Sequence, residues 1–212
     1  LEMKLGVLTD TLDIWGEIIK EEQFSKPSKN EVESVLVSFL GKQQQTPPMY
    51  SAIKHGGKKL YELARAGKTI DVPPREIEIY NIELMEYSDT IKARVSCSSG
   101  TYIRTLCLDI AKKFNTIGVM TSLVRTKIGS FTLSEANSIE DLKNKQFKML
   151  KPKDVLNKYP LIEYNNYSDI KNGRRILLET DEDLVLVKVD GEILAFYERE
   201  EGKIFRSKRG LW

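Results

Sequence analysis

The chain has 212 residues, 41% of them hydrophobic and 30% charged, with 33 basic against 31 acidic side chains and a net charge of +2. That balance excludes an intrinsically disordered chain and a cationic nucleic-acid binder of the histone type, so any RNA contact must come from local patches. Two cysteines and one histidine are too few soft ligands for a structural zinc site, and no apolar run is long enough to span a bilayer. No metal, no other cofactor and no membrane are therefore expected. The opening residues Leu1 to Gly6 lack the charged start and apolar stretch of a signal peptide, which makes the cytoplasm the expected location.

In chain order, the first polar cluster is Thr9-Asp10-Thr11-Leu12-Asp13. Its side chains are of the kind that bond their own backbone in turns, so Asp10 and Asp13 are read as structural. Ser28-Lys29-Asn30-Glu31 is a capping box, followed by Val32, Val35, Leu36 and Phe39 at helical spacing, with Gly41 placed for a left-handed C-cap. Pro47-Pro48 and His55-Gly56-Gly57 bound an exposed loop, and Lys58 to Ala66 reads as a short helix closed by Gly67.

Glu76 to Tyr80 and Ile91 to Cys97 alternate apolar and polar residues as half-buried strands do, and an antiparallel sheet is the economical arrangement. Ser98-Ser99-Gly100 ends the second strand. Ile103, Leu106, Ile110 and Phe114 then share a helical face. Ser138 to Asp141 is a further helix start, and the polar stretch from Lys143 to Lys153 is a linker, which divides the chain into 1–150 and 151–212. Beyond it, Leu184 to Val189 and Glu192 to Tyr197 flank Asp190-Gly191, a strong hairpin signal. The fold class is thus α+β: a mixed, mainly antiparallel sheet with flanking helices, then a small β-rich C-terminal domain.

Three stretches carry a resemblance. They are Gly6 to Gly16, with its Thr-Asp-Thr, Asp and Gly; Pro47-Pro48-Met49-Tyr50-Ser51-Ala52-Ile53-Lys54 continuing to Gly67; and Ser99-Gly100-Thr101-Tyr102-Ile103-Arg104. In order and spacing they resemble the TruB-type tRNA pseudouridine synthases, and the C-terminal piece with Lys171-Asn172-Gly173 resembles the PUA-like domain of bacterial members. The resemblance implies a pseudouridine synthase catalytic domain over 1–150 and an RNA-binding PUA-like domain over 151–212. It also implies cofactor-free isomerisation of a uridine in the T loop of tRNA, at position 55, through carboxylate-assisted cleavage, base rotation and C–C reattachment.

The family opens with a Gly-His-Thr-Gly-x-Leu-Asp-Pro type motif whose Asp is the catalytic carboxylate. That pattern does not occur in this sequence. The expectation is accordingly a catalytic fold truncated at its N-terminus and lacking the catalytic Asp, inactive by itself, with an exposed edge strand open to non-native dimerisation. The alternative is a catalytically dead RNA-binding protein or fragment.

By resemblance, Arg104 pairs with the catalytic carboxylate, a task suited to a guanidinium because it never deprotonates and can hold both oxygens. Its partner is expected to be missing. Tyr102 lines the uracil pocket and Leu123 packs on the flipped base. The T stem-loop of tRNA is the expected partner, with Lys54, His55, Lys58, Lys59 and Arg65 as first candidates for its backbone and Arg174 and Arg175 as second.

Overall fold

The computed structural model describes residues 1–211, and their contacts divide into two compact units, Leu1–Arg125 and the residues from Thr126 onward. The boundary drawn from the sequence near residue 150 falls inside the second unit. The first unit comprises β1 (Glu2–Leu5), β2 (Val7–Thr9), β3 (Ile18–Glu21), α1 (Lys29–Val37), β4 (Gly41–Gln45), β5 (Lys54–His55), β6 (Lys58–Lys59), α2 (Leu60–Arg65), β7 (Arg75–Tyr87), β8 (Ile91–Cys97), α3 (Ile103–Lys113) and β9 (Gly118–Ser122). Its main sheet has the order β4-β7-β8-β1-β9, and every pairing in it is antiparallel.

Strand β1 lies inside this sheet, between β8 and β9, with Met3 fully buried. The open side of β9 is partly occupied: Met120 donates to the carbonyl of Leu12 and accepts from the N–H of Ile14, a short bridge that includes Asp13. α1 and α3 supply Val32, Leu36, Leu106, Cys107, Ile110 and Ala111 to a core completed by Met3, Ile77, Ile79, Ile91 and Ala93.

The helix read from the capping box is α1, with the Ser28 side chain accepting from the Glu31 N–H and the Glu31 carboxylate accepting from the Ser28 N–H. It ends at Val37 on Ser38, earlier than Gly41 suggested. Gly41, at φ +92°, instead turns the chain into β4. β7 runs to Tyr87, seven residues past the Tyr80 read from the sequence, because register shifts between Ile79 and Asn81 and between Leu84 and Glu86 interrupt the alternation without ending the pairing.

The second unit holds β10 (Lys127–Ile128), β11 (Phe131–Thr132), α4 (Ile139–Lys143), α5 (Pro152–Val155), β12 (Leu161–Glu163), α6 (Tyr167–Lys171), β13 (Ile176–Leu177), β14 (Leu184–Val189), β15 (Glu192–Glu201) and β16 (Ile204–Gly210). The sheet order is β12-β14-β15-β16-β13, parallel only at β12–β14. Asp190 and Gly191 both take positive φ, which fits the twist of the β14–β15 hairpin they join. Tyr197 and Phe205 are fully buried in this sheet's own core.

Two measurements check this packing. Leu36→Ala should destabilise the first unit by about 2–5 kcal/mol in urea unfolding, because the cavity opens in the centre of the core. Burial pushes the Cys107 thiol up to about 12, whereas Cys97 is half-buried, so a disulfide reagent should modify at most one thiol in the native chain and two after denaturation.

Candidate functional site

The three motif stretches meet at one side chain. Arg104 is the second residue of α3, and its Nη1 donates to the carbonyl of Thr11 at 2.7 Å and to Oδ2 of Asp13 at 3.2 Å, while Nη2 donates to the carbonyl of Tyr50 at 2.6 Å. Arg104 and Asp13 are 21% and 20% exposed, sheltered enough for the pair to be felt and open enough to reach a ligand. Arg104 is therefore paired, with the Asp13 carboxylate and two backbone carbonyls. Asp13 serves the local turn as expected, Oδ1 accepting from the Thr11 hydroxyl and the Trp15 N–H, and it serves Arg104 as well.

The adjoining residues are held in the same manner. Asp10 accepts from the Glu17 N–H at 2.9 Å and from the Tyr50 hydroxyl at 2.8 Å, and this second bond, with the negative charge beside it, raises the Tyr50 phenol above its ordinary range. A side chain at Gly16 would collide with the Thr11 hydroxyl and the Asp10 carboxylate, so only glycine lets the loop close. Tyr102 caps α3 in an extended conformation, and its backbone N–H and carbonyl both bond the side chain of buried Gln45, at 2.8 and 3.2 Å. Tyr102 and Arg104 thus stand at the entry and in the first turn of a helix, where side chains two apart diverge. Leu123 lies just past the end of β9 and is 46% exposed, so it is not core.

The candidate RNA-contacting residues fall into two groups that differ in ion pairing. Lys54 and His55 pair with Lys59 and Lys58 in a two-stranded hairpin, β5–β6, whose turn is Gly56-Gly57, both at positive φ. Sequence reading took this segment as a loop running into a helix. The structure makes Lys58–Lys59 a strand and starts α2 at Leu60. Lys59 and Arg65 flank the ring of Tyr61 at 5.4 and 5.6 Å, and none of Lys54, His55, Lys58, Lys59 and Arg65 has an acidic partner among the described residues. By contrast Arg174 pairs with Asp169 at 3.1 Å, and Arg175 holds Glu200 through Nε and Nη2 at 2.5 and 2.9 Å.

The residue that sequence reasoning missed is Asp13 as counter-ion, and no signal within its own segment could have found it, because Arg104 lies 91 positions away. A surface depression bordered by Phe24, Lys26, Tyr87 and Ile91 shares no residue with the Arg104 cluster.

Comparison with known proteins agrees with this geometry. A model of the family described as TruB family pseudouridylate synthase (N terminal domain) matches residues 1–103. The chain is 40% identical to tRNA pseudouridine synthase B of Mesoplasma florum, over 98% of this chain and 74% of the relative. It is 49% identical to that of Clostridium perfringens over 67% of this chain and 49% of the relative, so it spans between half and three quarters of these two proteins. Among solved structures, the Cbf5-Nop10-Gar1 complex matches with a TM-score of 0.62 at 17% identity, covering 99% of this chain and 64% of that one, a likeness of fold alone.

The match over 1–103 overturns the expectation of a catalytic fold truncated at its N-terminus and lacking its Asp-bearing region: the family's N-terminal domain is present in the chain. One short signature misled the reading, whereas the domain's identity is spread over about a hundred residues that begin with an interior strand of the main sheet. The inference of inactivity drawn from that absence loses its premise. With this chain matched over 98% of its length to the Mesoplasma florum relative at 40% identity, and 74% of that relative covered, the chain belongs to the TruB family of pseudouridylate synthases.

Proposed function

We propose that the protein isomerises a uridine in the T loop of tRNA, at position 55, to pseudouridine, and that it does so in the cytoplasm, where a tRNA substrate would be met. The observation that carries this reading is the gathering of three motif segments around one guanidinium beside a carboxylate. The relatives in Mesoplasma florum and Clostridium perfringens, both tRNA pseudouridine synthases B, support it.

In the reaction the C1′–N1 bond breaks, the uracil turns, and C1′ bonds to C5 while the C5 proton is lost and N1 regains one. Atoms and electrons balance with no external reactant. An ionised carboxylate near C1′ serves as nucleophile or as stabiliser of an oxocarbenium-like centre, and a guanidinium beside a carboxylate favours its charged form. Arg104 has that role. Asp13 and the carbonyls of Thr11 and Tyr50 position it, leaving its planar fork little freedom to rotate. Tyr102 forms a wall of the uracil pocket and Leu123, open to solvent, packs on the flipped base.

The target base must leave its stack, which costs a few kcal/mol, and phosphate contacts offset that. The β5–β6 hairpin with Arg65 supplies cations with no acidic partner, whereas at Arg174 and Arg175 a phosphate must first displace Asp169 or Glu200. The hairpin is therefore the principal electrostatic contact and the two arginines are secondary.

Two outcomes are expected. Arg104→Ala at the chromosomal locus should remove pseudouridine from position 55 of cellular tRNA, with a rate loss of about 100-fold or more, and Arg104→Lys should restore little because one ammonium cannot reach three acceptors in a fixed fork. Normal pseudouridine in the Arg104→Ala strain, read by mass spectrometry of tRNA digests, would remove Arg104 from the mechanism. Charge reversal at Lys58, Lys59 and Arg65 together should weaken tRNA binding at least about tenfold and flatten its salt dependence by roughly two to three units of slope. Equal affinity and an equal slope in filter binding would refute the hairpin's role.

A further inference from the structure

Among the described residues Trp15, at 92% exposed, is the most exposed of the large apolar side chains, and its ring meets no aromatic or cationic partner there. An indole left in water is unfavourable by its apolar area. Exposed tips of mobile loops tolerate such a residue for want of structure, yet the loop bearing Trp15 is not of that kind.

Its frame is closed from several directions. The Asp10 N–H donates to the carbonyl of Glu17 at 3.1 Å and the Gly16 N–H to the carbonyl of Asp13 at 3.1 Å. Asp10 caps the Glu17 N–H, the Thr9 hydroxyl donates to the carbonyl of Asp13 at 2.7 Å, and Gly16 fits against Thr11 and Asp10 with no room for a side chain. The Ile14 N–H ties the loop to β9 at Met120. Most directly, the Trp15 N–H donates at 3.1 Å to the Asp13 carboxylate whose other oxygen receives Arg104. The indole is thus carried on the same rigid bracket that orients the guanidinium of the site.

The carboxylates of Asp10 and Asp13 are spent on the bracket itself, Asp10 on Glu17 and Tyr50, Asp13 on Thr11, Trp15 and Arg104. Of the side chains left facing outward, Ile14, Trp15 and Glu17, Trp15 alone offers a large planar π surface. A flat aromatic carried on a closed backbone beside a site that takes an extruded nucleotide suits stacking with a base, which is tolerant of base identity because every base has a π face.

We infer that Trp15 is a stacking platform for an unpaired nucleobase of the RNA substrate, one next to the uridine that enters the Arg104 site. The inference rests on the reading of the chain as a tRNA-binding enzyme and adds a contact to it. When the uridine turns out of its stack, a neighbour loses a stacking partner, and the indole replaces that face. Trp15 therefore holds the opened loop open; it is a binding residue and takes no part in bond exchange.

The test uses the chain with Trp212→Phe, so that Trp15 is the sole tryptophan, titrated with a T stem-loop RNA. Emission from Trp15 should be quenched on binding. Trp15→Ala should lower affinity by about fivefold or more, and Trp15→Phe should retain most of it. No binding of RNA by the wild-type chain at low salt would overturn the tRNA reading and this inference together. Binding with unquenched emission, and with Trp15→Ala within twofold of wild type, would overturn this inference alone. A sedimentation shift from dimer to monomer in Trp15→Ala, with RNA affinity unchanged, would make the indole a contact between copies and would also overturn it.

Discussion

The guanidinium of Arg104 is the interaction on which the site depends. Its donors reach back 93, 91 and 54 residues, to Thr11, Asp13 and Tyr50, so three segments that share no secondary structure are fixed relative to one another by one planar group. Planarity matters as much as charge. Two carbonyls and a carboxylate around one fork define its orientation, and the group that must face a carboxylate and a sugar arrives already oriented. Shelter adds to this: with both partners about four-fifths covered, the pair is worth more than a surface ion pair, and removal of Arg104 would leave Asp13 and two carbonyls without their donors in a partly dry setting.

The scaffold around that group explains how it stays in place. α3 is anchored by its apolar face, Leu106, Cys107, Ile110 and Ala111 all packing into the core, so the first turn that carries Arg104 cannot drift. Gln45, at the end of β4, clasps the backbone of Tyr102 immediately ahead of the helix. The turn of Asp10 to Gly16 is closed by its own carboxylates and by a glycine with no spare volume. Rigid parts meet at the site, while the cations offered to a backbone stand on a two-glycine hairpin that has conformational latitude.

Much of this was legible in the sequence wherever the signal lay between neighbours. The Ser28–Glu31 capping box, the Asp190-Gly191 hairpin and the apolar face of α3 are each specified within a few residues, and each forms as read. The length of β7 was underestimated because its bulges break the alternation that reveals a strand. The ion pairing of the arginines was invisible: Arg174 and Arg175 looked as available as Lys58, and only the fold brings Asp169 and Glu200 to them. Asp13 is the instructive case. Its local turn bonds are real and sufficient to explain an aspartate there, so a reading by short-range chemistry stops before the partner 91 residues on. The catalytic fold was judged truncated at its N-terminus from one motif, although the signal for the family's N-terminal domain is dilute and extends over a hundred positions.

The interior position of β1 has a consequence for how the chain reaches this state. Residues 2–5 hydrogen-bond on one side to Ile91 and Lys92 and on the other to the strand from Gly118 to Ser122. During synthesis their second neighbour leaves the ribosome more than a hundred residues after them. At about 5–20 residues per second, this segment waits several seconds or longer with its edge groups open and Met3 uncovered. Such a pairing is high in contact order and slow to close, so β1 cannot complete its place in the sheet until translation has passed residue 122.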